Sequence, residues 1–203
     1  MAQPHLILAS QSPRRRELMT LITPDFSVQV SDADETIAPG TLPGDAVEEL
    51  ALRKARAVLA LQKCPEDCLV VGADTVVAVD GRILGKPRDR QECLWMLSLL
   101  SGREHTVFTG AAVLGRGEER RFREEARVEF WPLSREEMEW YASTPEPYDK
   151  AGGYGIQGLG AVLVKGIRGD FFTVMGLPVA RLWRELRQAA PEAFPLGEKF
   201  IKS

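Results

Sequence analysis

Histidine is nearly missing from this chain: 203 residues contain only His5 and His105, a hundred positions apart. That scarcity argues against a Ser-His-Asp triad and against imidazole-rich metal sites, so proton transfer and metal ligation fall to carboxylates and lysines. No G-x-S-x-G is present, and no G-x-x-x-x-G-K-[ST], which excludes P-loop chemistry. Cysteine is scarce too. Cys64, Cys68 and Cys93 cannot all pair, and C-P-E-D-C separates its thiols by three residues where a redox or zinc pair usually has two. They read as small buried or surface residues. No run of about 18 apolar residues occurs, and the amino terminus lacks both a basic start and a long apolar core. The expectation is a cytoplasmic protein with no membrane partner. Charge of one sign is also lacking: 26 Lys plus Arg face 29 Asp plus Glu, for a net charge of −3. General nucleic-acid binding is disfavoured, although a local basic cluster could still hold a compact polyanion.

What is present is an ordinary globular composition, 44% hydrophobic and 27% charged. The length fits one large domain or two small lobes, with roughly 70% of the unfolded surface buried and no need of disulfides. His5-Leu6-Ile7-Leu8-Ala9 reads as a buried strand. It runs into a helix start at Ser12, a good N-cap, with Pro13 at the first helical position. Arg14-Arg15-Arg16 then occupies the first turn, where cations oppose the helix dipole. Either an anion binds there or the three arginines form a solvated face. Residues 26–30 alternate like a half-buried strand and end in the acidic loop Ser31-Asp32-Ala33-Asp34-Glu35.

The clearest helix spans residues 44–61, with Val47, Leu50, Ala51, Ala55 and Val58 on one stripe and Lys54 in its midst. A lysine there takes a carboxylate or phosphate partner, or snorkels to the edge. Residues 69–73 form an apolar strand that delivers Asp74-Thr75 at its end, before residues 76–79 resume and Asp80-Gly81 makes a two-residue hairpin turn. Asp74 is either a paired core carboxylate or a functional one. Beyond Gly85-Lys86-Pro87 the pattern gives a helix over 88–101, two long strands over 104–114 and 121–133, and a helix over 134–142 that opens with the capping box Ser134-x-x-Glu137. A Pro-rich loop then leads into Asp149-Lys150-Ala151-Gly152-Gly153-Tyr154-Gly155-Ile156-Gln157-Gly158. A last strand over 161–167 and a closing helix over 175–189 complete the chain. The sum is an α/β or α+β fold around a mixed, twisted sheet.

Gly153, Gly155 and Gly158 satisfy G-x-G-x-x-G, but a polar loop stands where a dinucleotide fold needs a strand, and a strand-like run where it needs a helix. What remains is a set of charged residues at strand and helix ends. Arg14, Arg15, Lys54, Lys86 and Lys150 could contact a polyphosphate; Glu35, Asp74 and Asp149 are the acids, and such carboxylates could hold a hard divalent ion. Together they point to a nucleotide or phosphate-ester substrate.

L-I-L-A-S-Q-S-P-R-R-R-E-L at 6–18, D-E-T at 34–36, G-A-D-T-V-V at 72–77, G-K-P at 85–87, S-G-R-E-H-T-V-F-T-G at 101–110 and Y-D-K-A-G-G-Y-G-I-Q-G at 148–158 resemble the Maf family of nucleoside triphosphate pyrophosphatases, in order, over nearly the whole chain. The resemblance implies a Maf/inosine-triphosphatase-like fold: one domain over 1–203 whose two lobes share an elongated, twisted mixed sheet around a cleft, commonly as a homodimer. It implies hydrolysis of a nucleoside triphosphate to the monophosphate and pyrophosphate with Mg²⁺ or Mn²⁺. Carried onto this sequence, it makes Asp74 the general base and a metal ligand with Glu35. Ser10, Arg14, Arg15, Lys54, Thr75, Lys86, Asp149, Lys150 and Gln157 become substrate-binding, with Arg14, Thr75 and Gln157 at the positions that govern substrate choice. Lys150-Ala151-Gly152 and Gln157 look like the dTTP/UTP-specific subgroup; the 7-methyl-GTP subgroup carries Cys-Ala-Gly and Glu there. A glutamine amide both donates and accepts, matching the O4/N3–H edge of thymine or uracil, whereas a carboxylate only accepts. A nucleotide-binding role in septum formation is the rival that the family name suggests. Gln11 and Arg16 are small departures from the pattern.

Overall fold

A computed structural model describes residues 3–195. Its strands are β1 (His5–Ala9), β2 (Ser27–Val28), β3 (Cys68–Val79), β4 (Arg82–Leu84), β5 (Glu104–Gly115), β6 (Glu118–Phe130) and β7 (Val164–Arg168). The α-helices are α1 (Pro13–Thr20), α2 (Pro43–Leu59), α3 (Arg90–Leu100), α4 (Arg135–Ala142), α5 (Phe171–Met175) and α6 (Val179–Ala189). All seven strands form one mixed sheet in the order β2-β1-β3-β5-β6-β7, with β4 pairing to β3. β1 is parallel to β2 and β3; the other pairings are antiparallel. Among the described residues no helix is long and apolar enough to cross a membrane.

The unbroken apolar runs follow from burial on both faces. Alternate residues of β1, β3 and β5 (Leu6, Leu8, Leu69, Val71, Val113) pack against Leu18 of α1 and Leu182 and Leu186 of α6. The intervening ones (Ile7, Val70, Ala112, Leu114) pack against Leu52, Ala55 and Val58 of α2. The far half of the sheet (Val77, Val107, Val128, Phe130) is covered by Cys93 and Leu97 of α3 and Tyr141 of α4.

Glycine sets how close α2 comes. A Cβ at Gly72 of β3 would run into the Ala51 carbonyl, and one at Gly110 of β5 into the Val47 carbonyl, both on α2. Gly110 lies opposite Asp74 in the ladder, so this contact fixes the distance of Lys54 from Asp74. Gly110→Ala is therefore expected to lift α2, to cost about 1–3 kcal/mol or more, and to lower turnover; denaturant midpoint and kcat measured on the same preparation check both, and an unchanged midpoint contradicts the contact.

Several elements differ from the sequence expectation. β3 does not end at Asp74: its twelve residues run straight through, because β5 pairs with it from Val70 to Ala78. The closing helix expected over 175–189 starts only at Val179, as α6, and Met175 instead ends α5, a short helix not expected from the sequence: Gly176 adopts a left-handed conformation (φ 111°) that caps α5, and Pro178 then precedes α6. The strand expected over 26–30 shrinks to Ser27–Val28, and the start of the one over 161–167 is a 3₁₀ turn, Gly158–Leu163. Ser12, Asp89 and Ser134 are helix N-caps, the last with the full capping box.

His105 of β5 is buried, its Nε2 2.7 Å from the Tyr154 hydroxyl, between edge-on Phe130 and Tyr154 rings. Among the described residues its Nδ1 has no partner. Burial lowers its pKa from 6.5 to about 4. The unfolded chain thus binds the proton more readily, and stability is lost as pH falls below 6.5. From pH 7 to pH 5 the loss is about 2 kcal/mol, read as a drop in urea unfolding free energy that His105→Gln abolishes; an equal drop in the variant contradicts it.

Candidate active site

The sheet leaves a gap in one edge of β3. β1 pairs with it from Cys68 to Gly72, and β4 from Val77 to Val79. Between them residues 73–76 have β5 on one side only, and a cleft of about 560 Å³ opens there. Successive strand residues face opposite sides, so Asp74 reaches the α2 side and Thr75 the α1 side. All eleven residues singled out from the sequence line this cleft: Ser10, Arg14, Arg15, Glu35, Lys54, Asp74, Thr75, Lys86, Asp149, Lys150 and Gln157.

On the α2 side, Lys54 does not snorkel. Its Nζ lies 2.5 Å from Asp74 Oδ1 and 2.9 Å from Glu35 Oε1, so one ammonium bridges two carboxylates. Lys54 and Asp74 are buried, whereas the Glu35 side chain is 61% exposed. Burial pushes the Glu35 pKa up, but the Lys54 hydrogen bond and the charges of Lys54, Lys86 and Arg15 outweigh it and hold it below its ordinary value.

On the α1 side, Ser12 Oγ accepts the Arg15 amide, and Ser10 Oγ accepts the Ser12 amide. Arg15 is clamped: Nε donates to the Gly176 carbonyl at 2.8 Å, one terminal nitrogen to Thr75 Oγ1 at 3.0 Å and the other to Ser10 Oγ at 3.5 Å. A guanidinium has five N–H groups, so two remain for an anion. Burial lowers its pKa, against the pull of Asp74. Behind Thr75 the hydroxyls run on to Thr109 (2.9 Å), which donates to the Thr173 carbonyl (2.7 Å). Thr109 has spent its one proton there, so Thr75 donates to Thr109 and accepts from Arg15. Across the cleft, Arg14 pairs with Asp149 at 3.4 Å, and Lys150 Nζ donates to Asp149 (2.5 Å) and to the Glu146 carbonyl (2.7 Å). Burial raises the Asp149 pKa, but Lys150 and Arg14 bring it below the usual value.

A family model described as Maf-like protein matches residues 5–189. The chain belongs to the Maf family. It is 51% identical over 182 residues to a dTTP/UTP pyrophosphatase of Bacillus cytotoxicus, covering 90% of this chain and 94% of that one. A dTTP/UTP pyrophosphatase of Symbiobacterium thermophilum is 51% identical over 192 residues, covering 95% and 97%. One from Bacillus cereus is 48% identical over 183 residues, covering 90% and 94%.

In this Maf-family cleft the donor set suits a hard divalent cation. Two carboxylates from separate elements already converge on one positive centre, Lys54 Nζ, and Glu35 is open to the solvent side. They are two rather than three, which matches a Mg²⁺-type ion that keeps waters and takes its remaining oxygens from a substrate phosphate. Among the described residues the one group of three metal-ligand types is Cys64, Glu66 and Asp67, all exposed and none lining the cleft. The three thiols are free, with Cys68 and Cys93 buried. The glycine run 152–158 starts in one 3₁₀ turn (Ala151–Gly153) and ends at the start of another (Gly158–Leu163), with neither the preceding strand nor the following helix of a dinucleotide fold. Gly176, Thr109, Tyr141 and Glu146 were not legible from sequence. Glu146 stands between two prolines and looks like solvated loop charge, and a tyrosine at helical spacing looks like core.

Proposed function

We propose that this chain hydrolyses dTTP and UTP to the monophosphate and pyrophosphate in this cleft, with Mg²⁺ or Mn²⁺, in the cytoplasm and as a homodimer of one-domain subunits whose two lobes share the sheet. The observation that carries the reading is the arrangement of one cleft: Lys54 bridging Asp74 and Glu35, with Arg14, Arg15 and Lys86 also lining it. Relatives about 50% identical over most of their length are dTTP/UTP pyrophosphatases, which supports the substrate. Glu35 and Asp74 would hold the metal, which supplies charge neutralisation on the phosphates when bound. Lys54 engages Asp74 through Oδ1, so Oδ2 takes the proton of the attacking water. The water oxygen bonds to the α-phosphorus, and the bond to the α–β bridging oxygen breaks. Its electron pair leaves with pyrophosphate, whose developing charge meets Arg14, Arg15 and Lys86. Ser10 and the first amides of α1 add anion-binding donors, Asp149 and Lys150 tether the far wall, and Gln157 reads the pyrimidine edge.

A panel of dTTP, UTP, CTP, GTP and 7-methyl-GTP, with Mg²⁺ or Mn²⁺, tests it by kcat/KM. dTTP and UTP are expected to lead; 7-methyl-GTP running fastest contradicts the role of Gln157.

A further inference from the structure

Gln157 lies on a segment with little regular structure of its own, between 3₁₀ turns at Ala151–Gly153 and Gly158–Leu163. Two side chains outside the cleft hold both ends of it. The hydroxyl of Tyr141, on α4, accepts the Gly155 amide at 3.0 Å and lies 3.0 Å from Glu146 Oε1. Glu146 Oε1 also accepts the Gly160 amide, and Oε2 the Leu159 amide, both at 2.9 Å. An amide only donates, so the single phenolic proton goes to the carboxylate and every donor in the group is matched. Gln157 is thus bracketed by Gly155 on one side and by Leu159 and Gly160 on the other. The backbone is shaped to fit: Gly158 has φ +82°, and a Cβ there would press on Glu146 Oε2, while one at Gly160 would meet the Tyr141 hydroxyl. The Glu146 carbonyl takes Lys150 Nζ as well, so the same residue anchors a second cleft side chain. Burial pushes the Tyr141 phenol up, keeping its proton; burial also raises Glu146, but the Gly160 and Leu159 amides and the Tyr141 hydroxyl bring it below its usual value, keeping it an acceptor.

We propose that Tyr141 and Glu146 are positioning residues that set the base selectivity of the cleft by fixing the 155–160 segment, without touching the nucleotide. Neither lines the cleft. The inference rests on the reading of Gln157 as the base-facing side chain. A bidentate match to a base edge tolerates little displacement, whereas the phosphate wall of Arg14, Arg15 and Lys86 stands on other elements, so the two parts of substrate binding separate.

Tyr141→Phe removes one oxygen from a fully buried side chain and leaves the Gly155 amide without its acceptor. Glu146→Gln turns an acceptor into an amide donor against backbone N–H groups. For each, kcat/KM is measured across the triphosphate panel, together with the inhibition constant of inorganic tripolyphosphate. The ratio between the wild-type enzyme's preferred and least-favoured nucleotides is expected to fall about tenfold or more, chiefly through a higher KM for the preferred one. The tripolyphosphate constant is expected to stay within about twofold. An unchanged ratio in both variants overturns the proposal, as does a parallel loss for every nucleotide and for tripolyphosphate. If Tyr141→Phe does not fold, Glu146→Gln decides. A wild-type preference outside dTTP and UTP defeats the substrate assignment instead, and the ratio is then taken on the substrate actually preferred.

Discussion

Asp74→Asn is expected to lower dTTP turnover by about 10²–10⁴ while the protein stays folded. Asparagine keeps the shape of the side chain, and its carbonyl oxygen can still accept from Lys54, so the contact between α2 and β3 survives. Its amide cannot take a proton from water. At saturating Mg²⁺, which offsets the weakened Asp74 ligand, KM should change little, because the phosphate wall is built from α1 and the loop carrying Lys86 rather than from β3. Steady-state pyrophosphate release and a thermal melt measured together separate the two effects; near-normal turnover in a folded variant removes Asp74 from the role of base.

Lys54→Met should be nearly as damaging and for a different reason. Among the described residues Lys54 is the one cation in contact with both carboxylates, at 2.5 and 2.9 Å, and methionine leaves them facing each other across an apolar side chain. Removing one partner of a fully buried pair costs about 3–5 kcal/mol; here the cleft admits water and the lower end applies. Turnover should fall on the order of 10²–10³, the scale of losing one preorganised charged donor. Glu35 gives the sign of the pH effect. Lys54 is the largest influence lowering its pKa against burial, so the variant's Glu35 picks up its proton at higher pH than the wild type's. Residual activity should therefore decline at a higher pH on the acid side. A pH–rate profile superimposable on that of the wild type contradicts the bridging role.

Local signals carried much of the fold. Ser12-Pro13, the Ser134/Glu137 box, Asp80-Gly81 and the apolar runs each act within a few residues, and they start α1 and α4, turn the β3–β4 hairpin and build the buried strands. The failures lie where tertiary pairing overrides local pattern. A carboxylate in an apolar run looks like a strand end, yet Asp74 stays in an unbroken strand because β5 pairs with it from Val70 to Ala78. Gly176 and Pro178 delay the closing helix to Val179 and leave Met175 at the end of a separate short helix, α5. At the site, chemistry-bearing side chains were visible because charges in apolar or helix-start positions are costly without partners. Thr109, Tyr141 and Glu146 were not, since each looks ordinary until residues far away in sequence come against it. Lys54 needed the structure as well: its spacing called for a partner, and only the close approach of α2 at Gly72 and Gly110 shows that the partners are carboxylates.

Hydrolysis of dTTP in ¹⁸O-enriched water, followed by ³¹P NMR, tests the central claim most directly. Attack by a water that Asp74 deprotonates at the α-phosphorus gives dTMP carrying the label and unlabelled pyrophosphate. Orthophosphate with dTDP, or label in the pyrophosphate, would contradict it.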